Sequence, residues 1–240
     1  YEVTQIKGDG ETTGLLSPGD EFAAFERWDG GNLDMSTPTT PEMLEFNYAR
    51  SALANGLLIA QRTGVNPYAF GMIGSSDAHT SIAAVEEDNF FGKATPYEPS
   101  ATRAEHVFTE GKAGKIMGWE MSSSGYAAVW ATENTREAIW DALKRKEAYS
   151  TTGPRIMVRF FGGWNLSDTQ LAAKDWIATG YASGVPMGGR LEAAPGASAP
   201  AFLVWAIKDP DSGNLDRIQI VKGWLDAAGK QHEAIFDVAW

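Results

Sequence analysis

Asp77 and His79 stand two positions apart where a short apolar run gives way to small residues, in Gly71-Met72-Ile73-Gly74-Ser75-Ser76-Asp77-Ala78-His79. A carboxylate and a neutral imidazole are both good donors to a divalent ion such as Zn or Mn. The run Ala69, Phe70, Met72, Ile73 reads as a buried strand that stops abruptly and hands its tip to a βα loop. In α/β barrels the C-terminal strand ends are where ligands and catalytic groups collect. The chain has 3 histidines, so one in this place carries weight. The competing reading makes Asp77 a helix cap and His79 an ordinary polar loop residue, and the dipeptide spacing alone does not separate the two.

Other candidates are weaker. Lys7, in Lys7-Gly8-Asp9-Gly10-Glu11, sits where a βα loop should project, and could hold a phosphate or sulfate. Glu11 is then a further ligand, unless the stretch is simply a solvated Gly-rich turn. Arg155 follows a Thr-Thr-Gly-Pro turn and offers a bidentate clamp for an anion, or an interdomain salt bridge. Glu86-Glu87-Asp88 is a charge run of the kind that is solvated, and Gly184 to Gly189 is a closing loop or a plain turn around Pro186. His106 reads as a surface helix residue and His232 as a hairpin tip. The 9 tryptophans, Trp119, Trp130, Trp140, Trp164, Trp176, Trp205 and Trp224 among them, raise a carbohydrate site with paired carboxylates as an alternative. Most of them lie in apolar runs, where core packing is the simpler account.

Bulk properties narrow the field. A net charge of −11 with scattered lysines and arginines argues against nucleic acid as a partner, because phosphate binding needs basic stripes. Without cysteine there are neither disulfides nor thiolate metal sites, and the compartment stays open. No apolar run approaches the roughly 20 residues of a membrane span. The chain starts at Tyr1, without Met and directly in a strand-like run, and stops at Trp240 after another. Ends of that kind suggest an interior piece of a longer or processed protein.

The elements that must position these residues follow from periodicity and punctuation. Residues 1–6 read as a strand and 11–40 as loop. Thr40 and Pro41 open a helix that runs on to residue 62, with Gly64 as its C-cap. The strand at 69–74 follows, so helix and strand form the repeating unit of an α/β barrel or doubly wound sheet. Residues 88–125 are irregular, apart from a helix expected around 101–110. A short strand at 127–130 and a helix at 134–147 come next. Beyond residue 155 helical periodicity fades, and β-type runs are expected at 156–161, 201–207, 217–222 and 234–238. Pro195 to Pro200 reads as an exposed loop. The implied organisation is 1–155 followed by a β-rich unit at 156–240.

Several of these stretches together resemble one family. Glu2-Val3-Thr4-Gln5-Ile6-Lys7-Gly8 resembles a barrel strand that places a metal-binding glutamate near its end. Ile73 to His79 is similar to the Asp-x-His motif of PHP (polymerase and histidinol phosphatase) domains. Asn134 through Ala142-Leu143-Lys144 to Tyr149-Ser150-Thr151-Thr152-Gly153 resembles the closing helix and strand of the same domain. Gly184-Val185-Pro186-Met187-Gly188-Gly189 and Asp216 to Gly223 resemble a large bacterial branch with an extra β-rich region, catalogued as a domain of unknown function.

The resemblance implies an α/β architecture, part of a distorted (β/α)7 PHP-type barrel ahead of a β-rich extension. It also implies a site for up to three divalent metals (Zn, Mn or Fe) that hydrolyses phosphate or related sulfate esters. On this reading Glu2 bridges two metals, Asp77 binds one and His79 the third, while Lys7 and Arg155 contact the small anionic substrate. Bridged cations about 3.5–4 Å apart lower the pKa of a shared water and clamp the attacking and leaving oxygens. The family's opening His-x-His pair is missing here, so its ligands either precede Tyr1 or are lost. A carbohydrate-binding module, a glycoside hydrolase or a metal-poor scaffold are the alternatives.

Overall fold

In the computed structural model residues 1–82, 91–121, 125–193 and 199–240 are described; Glu86-Glu87-Asp88 and most of the loop from Pro195 lie outside them. Strand β1 (Glu2–Gln5) forms because Val3 and Thr4 are both buried and Ile6, just past it, anchors the turn. The chain reverses through Ile6-Lys7 into β2 (Gly8–Asp9), antiparallel to β1. Pro41 starts a one-turn helix, α1 (Pro41–Leu44), and the chain restarts as α2 (Ala49–Thr63). The helix expected from 41 to 62 is therefore two. The first N–H groups of α2 find acceptors in the preceding loop, Ala49 N–H on Gly10 O at 2.9 Å and Arg50 N–H on Glu11 O at 3.0 Å. Gly64 ends α2 with a left-handed φ of 79°, as a C-cap glycine does.

Strand β3 (Ile73–Gly74) then returns parallel to β1, giving the order β2-β1-β3. A 3₁₀ turn and the hairpin β4 (Val107–Gly111) and β5 (Gly114–Met117) replace the helix expected around 101–110. Next, β6 (Tyr126–Val129) and β7 (Ala148–Thr151) pair antiparallel across the helix α3 (Arg136–Lys144). The Thr135 hydroxyl caps α3 by accepting from Ala138 N–H.

The remaining residues build a sheet around β8 (Met157–Gly163). Helices α4 (Asp168–Leu171) and α5 (Trp176–Ser183) lead to β9 (Val185–Pro186), and β10 (Ala201–Ile207) completes the order β10-β8-β9. A buried cluster of Phe161, Leu166 and Leu203, with Trp176 and Ala201 against it, holds α5 to this sheet. The hairpin β11 (Ile218–Leu225) and β12 (Gln231–Ala239) closes the chain and packs on α2. Two short helices, α4 and α5, lie within the stretch 156–240, which the sequence reads as β-rich.

The expected (β/α)7 barrel is not formed. Such a barrel needs a succession of parallel strands, each followed by a helix. Among the described residues, β1 and β3 are the one parallel pair, and β3 is two residues long. The other strand pairings are antiparallel, β2 on β1 in the same sheet and the rest in four further small sheets, none of which closes. The cause is visible in the connections: tight reversals follow β1, β4 and β11 where a barrel would place crossover helices, and the helices after β8 return the chain to an antiparallel strand, β9.

Candidate functional site

Because β1 and β3 run parallel, the segments leaving them emerge on the same side. Lys7 leaves β1, while Ser75, Asp77 and His79 leave β3, so residues 70 positions apart in the chain meet. Gly74 makes this approach possible. A Cβ there would lie 2.6 Å from Ser150 Oγ and 2.9 Å from the carbonyl oxygens of Thr151 and Tyr126. The strand end is thus pressed against β6 and β7, and Gly125 N–H donates to Ser75 O at 3.0 Å.

Asp77 is the centre. Its backbone is left-handed, φ 48°, a conformation that aspartate tolerates better than most residues. Its Oδ2 contacts the Lys7 ammonium and lies 2.5 Å from Lys93 Nζ. This oxygen is buried, and its partners are the two ammonium groups. Lys93 Nζ also donates to the Asp77 carbonyl oxygen and stands 3.2 Å from His79 Nε2. His79 Nε2 is in turn 3.1 Å from Asp77 Oδ1. The main chain repeats the connection, with His79 N–H on Lys93 O at 2.7 Å and a bridge between His79 and Ala94. Lys93 is almost enclosed, whereas 66% of the His79 side chain faces solvent.

Glu2 opens β1 rather than ending it, and its carboxylate accepts a hydrogen bond from the Ser75 hydroxyl. It remains electrostatically coupled to the cluster, since its charge favours the protonated form of both lysines. Burial, followed by repulsion from Lys93, pushes the Lys7 ammonium down to about 8. Burial likewise lowers Lys93. The Asp77 carboxylate in contact with both works in the opposite direction.

Lys7 also lines a cleft of about 280 Å³ with Glu2, Asp9, Trp28, Asp29 and Tyr48. Burial, then the charge of Glu11, pushes Asp9 up to about 6. The Tyr48 hydroxyl is pushed up to about 12, mainly by burial and then by Asp29.

Other sequence candidates lie elsewhere. Glu11 accepts Arg50 Nη2 at 2.6 Å, beside Asp20 at 2.7 Å, and braces the start of α2. Arg155 donates its backbone N–H to Asp209 Oδ2 at 2.6 Å, and its guanidinium lies over Tyr126. His106 closes the 3₁₀ turn, with Nε2 3.2 Å from Ser100 Oγ. His232 is in β12, 2.8 Å from Asp226 Oδ2 and stacked on Trp224. Lys93 is the residue that sequence reading missed. A single lysine after Gly92 carries no spacing signal.

The donor set bears on metal binding. Among the described residues no three His, Asp or Glu side chains converge to hold an ion. Asp77 Oδ1 and His79 Nε2, however, are 3.1 Å apart, the separation of two donors each about 2.1 Å from one ion. Asp77 Oδ1 and His79 Nε2 thus offer one oxygen and one nitrogen donor of the kind Zn takes, while Asp77 Oδ2 is taken up by the two ammonium groups.

The model of a family described as "Protein of unknown function (DUF3604)" matches residues 1–240. No curated protein and no solved structure matches the chain.

Proposed function

Starting from a chain that belongs to the DUF3604 family, we propose that Lys7, Asp77, His79 and Lys93 form part of a metal-dependent hydrolase site for phosphate or related sulfate esters. The observation that carries this reading is the convergence of two lysine ammonium groups on one Asp–His pair beside two parallel strand ends. The likeness of Glu2 and the Asp-x-His segment to PHP-type hydrolases points the same way.

A divalent ion held by Asp77 and His79, with Glu2 on the adjoining strand, would supply a Lewis acid and an acidified water. The chain's own residues do the rest. Lys7 Nζ faces both Asp77 and the cleft, so it can pair with a non-bridging oxygen of an anionic ester. That local cation matters in a chain of net charge −11, whose overall field repels such a substrate. As an ammonium it can also donate a hydrogen bond to the oxygen of a departing group. Glu2, tied to Ser75, favours the charged form of both ammonium groups.

Asp77→Ala and His79→Ala test this directly. Bound Mn or Zn, measured by plasma mass spectrometry, is expected to fall to background in both, and turnover of a phosphate and sulfate ester panel with it. Far-UV circular dichroism should stay unchanged. Metal content and turnover that survive in both variants would sink the reading.

A further inference from the structure

Lys93 is the least exposed of the four side chains at the site, at 7%, against 20% for Asp77, 22% for Lys7 and 66% for His79. Its three ammonium protons face three acceptors: Asp77 Oδ2, the Asp77 carbonyl oxygen and His79 Nε2. For Nε2 to accept from an ammonium it must be unprotonated, with its lone pair directed at the cation. A metal ion needs that same lone pair and the same carboxylate. One set of donor atoms cannot serve both cations at once, and two cations in this partly enclosed pocket repel each other strongly.

We propose that Lys93 is a resident cation that occupies the Asp77–His79 donor pair, so that a divalent ion binds by displacing it and Lys93 sets the metal affinity. The inference rests on the metal-site reading above. A counter-charge other than Asp77 also acts on Lys93. The Glu2 carboxylate acts on it electrostatically from the neighbouring strand, and an ester oxygen bound at the site would offer a second counter-charge. The loop itself does not depend on the ammonium, because Lys93 O holds His79 N–H and Ala94 bridges to His79 through the main chain.

Calorimetric titration of Mn²⁺ into the wild type, Lys93→Met and Asp77→Asn separates the possibilities. Lys93→Met is expected to bind Mn²⁺ at least about tenfold more tightly than the wild type, within the usual range of coupling between two ligands. Asp77→Asn is expected to lose binding. A second measurement uses the unmodified protein: acetic anhydride labelling with peptide mass spectrometry, with and without Mn²⁺. Acetylation of Lys93 should rise when the ion binds, and this readout stands alone if Lys93→Met fails to fold. Equal or weaker affinity in Lys93→Met, or labelling of Lys93 indifferent to Mn²⁺, overturns the displacement while leaving the metal site standing. No Mn²⁺ binding to wild type or Lys93→Met, or full affinity in Asp77→Asn, overturns the metal site and the displacement with it.

Discussion

At the scale of single residues, the region around β1 and β3 contains ionisable groups held away from their ordinary ranges by burial. Asp9 is the clearest case away from the Asp77 loop. Its carboxyl is pushed up to about 6 from an ordinary 3.8, first by burial and then by Glu11. The folded state therefore keeps its proton over a pH range in which the unfolded chain has lost it. The stability this contributes is complete below about pH 4 and is lost as pH rises through 6. Asp9→Asn should flatten the stability–pH curve between 4 and 6 and add about 1 kcal/mol at pH 7, part of the shift being screened by solvent. Urea unfolding of both proteins across that range measures it. An amide oxygen can still accept the Glu11 N–H that Asp9 Oδ1 accepts at 3.2 Å, so local structure should persist.

At the scale of elements, the site depends on β3 lying flush against β6 and β7. Gly74 is the contact point, and the atoms a Cβ would meet include two backbone carbonyls that cannot rotate away. Gly74→Ala is expected to cost about 2–3 kcal/mol of stability, as overpacking does, and to loosen Ser75 and Asp77 together. Thermal unfolding gives the first effect. The second should appear as weaker Mn²⁺ binding by whatever fraction still folds. How far such elements were legible depended on range. The run 201–207 is a strand over those residues, and Gly64 caps its helix, because both follow from local side-chain pattern. The break between Leu44 and Ala49 was hidden, since Met43, Leu44 and Phe46 keep an apolar rhythm while the turn is imposed by loop carbonyls that cap α2.

At the scale of the molecule, side chains from either side of residue 155 share one buried polar cluster. Glu147 is 3% exposed; its carboxylate accepts from the Tyr181 hydroxyl and pairs with Arg159 at 3.7 Å and Arg145 at 3.4 Å. Arg159 is stacked 3.4 Å over Trp130, whose indole N–H donates to Val158 O at 2.9 Å. These contacts tie β6 and β7 to the sheet around β8. Removing one partner of a buried ion pair leaves the other charge uncompensated. Glu147→Ala is therefore expected to cost about 3 kcal/mol or more in chemical denaturation. Mn²⁺ affinity of the folded fraction should not change, because no part of this cluster touches Asp77 or His79.

The sequence by itself determined the carboxylate–imidazole pair at 77 and 79, the lysine at the first turn, the strands of the second half and the absence of thiol chemistry. Each of these is a matter of residue type or of a pattern only a few residues long. The tertiary structure alone decided that the chain forms small antiparallel sheets instead of a (β/α)7 barrel, and that Lys93 reaches Asp77. A strand's period says which face is buried but not which strand it will pair with, and pairing is settled by contacts between distant segments. Lys93 illustrates the same limit in one residue. Its role comes from a left-handed turn at Asp77 and a main-chain bridge from His79 to Ala94, neither of which has a local signature around residue 93.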